Sequence, residues 1–442
     1  MDKKTVYIVH AIDTEGPLYE SLSATFERLK TIIGVDLEPT QENIEALRSK
    51  SIDLNGKEDL AAKFVDPKII DYNDTWEKIE EMLGKIMGAE YRDLLTDSFG
   101  NGWVYNWFCL DLVYFEENPR RKQTGYHSVH DRYVEYLNRF NSAQDGIQWH
   151  FHPMSTYREA HKFATSYAHS PHLYEVLAKR IIDRNFFPSS FRPGFHVERP
   201  DSHWFLEQWI PFDLGNQSVE DYSEKQNLGN LKNGRLGDWR NAPYDWSIYN
   251  PDHDDYRKPG NCRRYIGRCL NMNARHSNLT LEEVDRAFAR ANTGKPTLMA
   301  MTNHDFRDME PEIDNIRDMI SKVSSKYPEV KFKFSEVTEA FQSTLFDGDI
   351  QDLKLNVELY EEDGKLRLKV NEEIGKVFGP QPFLAIKMKS GRYLQDNFDF
   401  SVEGDTWHYV FDTHTVFPHD IDTIGVAANN RFGSTFVHTL KP

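Results

Sequence analysis

A chain of 442 residues, 39% hydrophobic and 28% charged, suits two or three globular domains and is neither disordered nor fibrous in composition. Its formal charge of −17 argues against nucleic acid or an anionic membrane surface as a general partner, and no apolar run approaches the ~20 residues of a bilayer span. The 3 cysteines, Cys109, Cys262 and Cys269, lack CxxC spacing, so neither a disulfide framework nor a cysteine zinc site is expected.

Residues Met1 to Thr5 lead into a strand-like run without a signal-peptide apolar region, so a cytoplasmic location is expected. Val6 to Ile12 reads as a strand that stops at the turn chemistry of Asp13-Thr14-Glu15-Gly16-Pro17. Residues 18 to about 100 form a long helical stretch, in which Trp76, Ile79, Met82, Leu83 and Ile86 fall at helical spacing. A second strand follows around Tyr105 to Leu112. The basic run Arg120-Arg121-Lys122 has no interleaved aromatic residue and reads as a solvated loop.

Strand and helix then alternate. Tyr133, Val134, Leu137 and Phe140 give a helix face before the strand Ile147 to His152. Ser170-Pro171 has the form of a helix start, and Thr280-x-x-Glu283 that of a capping box, with Gly294 closing its helix. Thr297 to Thr302 is the next strand, and Ile313, Ile316, Ile320 and Val323 the next helix face. Such alternation implies a parallel sheet, open or closed into a barrel. From about residue 345 the period changes to two. Leu353, Leu355, Val357 and Leu359 run up to Asp363-Gly364, and Leu366, Leu368 and Val370 return, a hairpin. Residues 345–442 are therefore expected to form an all-β, sandwich-like domain that folds on its own and contributes no catalytic group.

Two short pairs carry the chemistry. Asp13 and Glu15 lie two apart at one strand end, and His150 and His152 two apart at another. A strand has period two, so each pair shares a face, and in parallel α/β folds strand ends of this kind build the active site. Two imidazoles and a carboxylate are a common metal set with room for a water. Arg192, in Phe191-Arg192-Pro193-Gly194, has the geometry to brace a carboxylate, and His304, beside Asp305, that of an acid oriented by its neighbour. The aromatic and acidic stretch holding Trp239, Tyr244, Trp246 and Tyr249 suits the apolar faces of sugar rings.

The order Asp13-x-Glu15-Gly16-Pro17, His150-x-His152-Pro153, Arg192-Pro193-Gly194 and then His304 resembles the NodB-type polysaccharide deacetylase superfamily over roughly residues 5 to 340. The family's usual histidine spacing is HxxxH, whereas here it is HxH with Gln148 four before His152. The resemblance implies a distorted (β/α) barrel over 1–344, with a helical insertion at about 18–100. It implies one divalent metal, zinc by expectation, held by Glu15, His150 and His152. Asp13 then takes the place of the general base, Arg192 of its brace and His304 of the general acid. The implied activity is removal of an N- or O-acyl group from a carbohydrate or glycan precursor. Two other readings stay open: a metal-free glycosidase using carboxylates such as Asp245 and Asp254, and an inactive barrel that binds carbohydrate. The sequence is silent on oligomeric state.

Overall fold

Thr5–Thr14 (β1) is buried along its whole length, as a strand is when both faces are covered. Tyr7, Val9 and Ala11 pack with Phe108, Leu214, Cys269, Leu298 and Ala300, whereas Val6, Ile8 and Ile12 pack among helical residues such as Ile79, Leu83 and Ile316. Odd residues thus face the inside of a barrel and even residues its outer helices.

The computed structural model describes residues 3–118, 120–121, 125–155, 158–159, 167–221 and 236–442; Lys122, the last of the basic run, lies outside them. After β1 the insertion supplies α1 (Leu22–Ile33), α2 (Gln41–Arg48), α3 (Glu58–Phe64), α4 (Pro67–Ile70), α5 (Trp76–Ile86) and α6 (Ala89–Arg92). Its first four helices close on a small core of their own, including Phe26, Leu29, Ile44 and Phe64, while α5 joins the barrel's outer core through the residues expected of it. Next come β2 (Tyr105–Asp111), α7 (Ser128–Arg139), β3 (Gly146–Phe151), α8 (His172–Arg184), β4 (Ser190–Pro193), α9 (His203–Trp209) and β5 (Phe212–Asn216). β6 (Tyr265–Asn271), α10 (Leu281–Asn292), β7 (Thr297–His304), α11 (Glu310–Ser324), β8 (Lys331–Phe334) and α12 (Val337–Leu345) complete this part.

The strands β1 to β7 are parallel and pair in sequence, and β7 returns to β1, which closes the ring. β1 has one full edge on β7 and divides the other, Thr5–Ile8 against β8 and His10–Thr14 against β2. Val337, Ala340 and Phe341 of α12 plug the end of the barrel where strands begin, with Phe341 stacked on Phe212 at 4.4 Å. The opposite end carries the loops. Thr280 caps α10 through the Glu283 amide, as the sequence predicts. Ser170 does not cap α8; its hydroxyl accepts from the Met154 amide, and Pro171 stands at the cap.

β9 (Lys354–Glu362), β10 (Lys365–Ile374), β11 (Phe383–Met388), β12 (Tyr393–Asp396), β13 (Asp399–Phe400), β14 (Thr406–Phe411), β15 (Ile421–Asn429) and β16 (Thr435–Leu440) follow. They form two antiparallel four-stranded sheets, β13-β14-β10-β9 and β12-β11-β15-β16. The Asp363-Gly364 turn has φ of 51° and 69°, the pair of left-handed residues that a two-residue hairpin demands. Leu384 and Ile386 of β11 face Leu368, Val370 and Trp407 of the other sheet. Phe383 and Ala385, on the reverse side, pack with Ile181 of α8 and Trp209. The second sheet is therefore covered on both faces.

Candidate functional site

The inward row of β1 continues past Tyr7, Val9 and Ala11 to Asp13 and Glu15. Register fixes its neighbours: Asp13 stands beside His304 of β7, and His150 of β3 beside Arg192 of β4. All of these lie where strands end, at the open mouth of the barrel. The sequence places Asp13 in a turn, but it is strand; pairing to β2 and β7 carries β1 on to this level.

Arg192 grips Asp13 with both arms, Nε to Oδ1 at 2.6 Å and Nη2 to Oδ2 at 3.0 Å, and neither residue is more than 3% exposed. Burial alone would raise the Asp13 pKa, yet Arg192, with His150 and His304, holds its carboxyl far below the usual carboxylate range. Glu15 Oε1 lies 3.5 Å from the Nε2 atoms of both His150 and His152, and 3.8 Å from His304 Nε2. Its other oxygen, Oε2, is held by the Arg121 guanidinium, which also donates to the Glu15 carbonyl at 3.1 Å. Asp305 accepts from the amides of Glu15 and Gly16, each at 2.9 Å, and from the Tyr133 hydroxyl at 2.8 Å, so it fixes the backbone beneath the site. The turn after Arg192 must be glycine: a Cβ on Gly194 would lie 2.2 Å from His152 Cδ2.

Tautomers follow from these partners. The Arg192 carbonyl accepts from His150 Nδ1 at 3.0 Å, so the Nε2 of a neutral ring is a lone pair facing Glu15 and His152. Burial lowers the pKa of both rings, that of His152 further because His150 and Arg121 are near. The two Nε2 atoms stand 3.0 Å apart, and His152 Nδ1 is buried with no hydrogen-bond partner. Glu15 Oε1 and the two Nε2 atoms thus form a triangle with sides of 3.5, 3.5 and 3.0 Å. Donors about 2.1 Å from a tetrahedral ion stand about 3.4 Å apart. The set fits a cation, and three protein donors is the number that catalytic sites use. A second group, His203, Glu207 and Cys262, also converges. There Arg264 donates to His203 Nδ1 at 2.7 Å, so the neutral ring carries its proton on Nε2 and offers no lone pair.

His304 is a donor of the same kind. Arg307 Nη2 donates to its Nδ1 at 3.1 Å, which leaves an Nε2–H directed at Asp13 and Glu15, each 3.8 Å away. Burial, with Arg307 beside it, keeps the ring neutral by lowering its pKa well below the ordinary value.

Above the triangle lies a cavity of about 380 Å³, lined by Asp13, Glu15, His150, His152 and His304 and roofed by insertion residues such as Ala24, Arg28 and Tyr72. The sequence-predicted sugar platform is not in it. Trp239 and Trp246 are fully buried, donating to the carbonyls of His196 and Glu283, and the Tyr249 hydroxyl donates to the Tyr256 carbonyl. Tyr244 is exposed but carries the Arg286 guanidinium at 5.1 Å, away from the cavity lining. Asp245 and Asp254 pair with Arg290 and His253 and are likewise outside it. Arg121, read as solvated, is buried against Glu15 instead. Nothing in its local sequence marks that role, because its partner lies 106 residues away. No family model, curated protein or solved structure matches the chain. Among the described residues no helix is long and apolar enough to cross a membrane.

Proposed function

We propose that this barrel is a metal-dependent hydrolase that removes an N- or O-acyl group from a carbohydrate. The observation carrying the reading is the Glu15–His150–His152 triangle beside a carboxylate that Arg192 holds ionised. Glu15, His150 and His152 would hold one divalent ion, with zinc the ion that suits two imidazoles and a carboxylate. Such an ion, when bound, polarises an acyl carbonyl and acidifies a water.

The chain's own groups do the rest. Asp13 is too well stabilised to take a proton from ordinary water, so it suits a water already made acidic. Arg192 fixes its plane and leaves it in reach of the cavity. Arg121 orients Glu15 by holding the oxygen that faces away from the histidines. His304 presents Nε2–H to the departing atom. The resemblance gives His304 the place of the general acid; as a neutral ring it donates a hydrogen bond there, and Asp13 returns the proton it took.

The test is release of acetate from N-acetylated sugars, with metal measured by elemental mass spectrometry. Stoichiometric metal, chelator-sensitive turnover and loss of both in the His150→Ala, His152→Ala double variant are expected. Near-stoichiometric metal in the folded double variant, or turnover that survives metal removal, refutes the reading.

A further inference from the structure

The cavity is richer in fixed positive charge than its candidate chemistry requires. Among the described residues five arginines line it, Arg28, Arg120, Arg121, Arg275 and Arg307, in a chain whose formal charge is −17. They come from separate segments: α1 of the insertion and the loops that follow β2, β6 and β7. Three have carboxylate partners. Arg28 and Arg120 both reach Glu20, at 2.5 and 2.8 Å, and Arg121 holds Glu15. Among the described residues Arg307 donates only to neutral acceptors, the Asn273 carbonyl at 3.0 Å and His304 Nδ1 at 3.1 Å, and its buried Nε has no partner there.

Arg275 is the more exceptional. Its guanidinium lies 4.0 Å from the Phe64 ring centroid, and among the described residues its buried Nε has no hydrogen-bond partner and no carboxylate pairs with it. Burial, with Arg28 and Arg307 close by, pushes its pKa down to about 9. Arg275 is half-buried, and Glu20 acts on it only through space; a partly desolvated guanidinium with no ion pair of its own is costly, and a bound anion reduces that cost. Among the described residues, the carboxylates that line the cavity besides Asp13 and Glu15 are Glu27, which is exposed, and Glu159. Among the described residues, all the permanently charged basic groups are arginine, the side chain whose planar fork matches carboxylate and phosphate oxygens.

We infer that the acylated sugar is anionic, and that its carboxylate or phosphate docks on Arg275, with Arg307 as the nearer second contact. This rests on the hydrolase reading for the position of the acyl group beside Asp13, and extends it by naming the charge class of the substrate. Arg307 spans the two regions, since it touches His304 on one side and adds to the positive field at Arg275 on the other.

Calorimetric titration of the full chain, metal-loaded, tests this with three probes: N-acetylglucosamine, N-acetylglucosamine 6-phosphate and N-acetylglucosaminuronic acid. At least one anionic sugar is expected to bind tenfold or more tighter than the neutral one, and the tighter of the two identifies the group. Arg275→Gln should erase most of that preference, and Arg275→Lys should keep part of it at low salt. A preference below threefold in the wild-type chain, or one that Arg275→Gln leaves unreduced, overturns the inference. The same titrations report turnover as steady heat, which separates the two readings. Anion preference without turnover of any probe counts against the hydrolase, whereas turnover of the neutral sugar without anion preference counts against the anionic substrate.

Discussion

Asp13 and Glu15 lie two residues apart on one strand yet answer to different cations. Asp13 is enclosed by Arg192, while Glu15 turns one oxygen to Arg121 and the other to the two histidines. Their substitutions should therefore separate. Asp13→Asn is expected to keep its metal and lose roughly 100- to 10,000-fold in rate, the usual worth of a general base. It should also lose stability, on the order of 3–5 kcal/mol, because Arg192 is left buried without its partner. Glu15→Gln should weaken metal binding first, with activity partly restored by added metal. Elemental analysis of the two variants decides it; metal lost from Asp13→Asn and kept in Glu15→Gln reverses the roles. These two pairs are legible in the sequence because period two on a strand is a local rule. Arg121 and Arg275 are not, because their meaning comes from partners that folding alone brings near. The tryptophans Trp239 and Trp246 mislead for a related reason: composition records large rings, but not whether their N–H groups are already used inside.

The outward face of β1 holds a polar chain at the level of whole elements. Trp103 Nε1 donates to His10 Nδ1 at 3.0 Å, His10 Nε2–H donates to Asn303 Oδ1 of β7 at 2.8 Å, and Asn303 Nδ2 donates to Glu312 of α11 at 2.9 Å. Every donor has an acceptor, so a second proton on His10 has nowhere to go. Burial lowers its pKa from 6.5 to about 4, while the unfolded chain keeps the ordinary value. Between these values the unfolded state binds more protons, so stability is full above pH 6.5 and falls as pH drops towards 4. The loss is on the order of 3 kcal/mol for this residue. Urea denaturation at pH 7 and pH 4.5 should show a smaller drop in His10→Gln than in the wild-type chain; equal drops would exclude His10 as the source. Strand positions such as Val6 to Ile12 can be read from the sequence, whereas this network cannot, since it joins residues from three distant segments.

At the scale of the molecule, the β-rich final fifth of the chain packs closely against the barrel part. The change to period-two patterning after residue 345 marks a new architecture, and the continuous apolar run Phe383-Leu384-Ala385-Ile386 fits a strand covered on both faces, but nothing local says which element covers the outer one. Phe383 packs on Trp209 with ring centroids 5.0 Å apart, and Asn429 Nδ2 donates to the carbonyls of Pro188 and Trp209 at 2.7 and 2.9 Å. A Cβ on Gly425 would lie 2.6 Å from Ile181 of α8. Residues 1–344 alone would expose Trp209 and Ile181, each worth about 1.5–3 kcal/mol when buried. The truncated chain is expected to aggregate or to lose cooperative unfolding. A monodisperse 1–344 fragment that melts as sharply as the full chain would show instead that the two parts are separable.

The divided edge of β1 also sets an order in time. His10 and its partner Asn303 on the closing strand are 293 residues apart, and β8, which takes the other half of that edge, comes later still. At roughly 5–20 residues per second, a ribosome needs tens of seconds to pass from one to the other. Once β2 is made, β1 has it to pair with along half of one edge, but its opposite edge stays bare until β7 arrives. A nascent chain therefore needs shelter for one strand long after that strand has been made. His304 and Arg307 arrive with the closing stave, so the mouth of the barrel, begun at Asp13 and Glu15, is completed only when the ring closes.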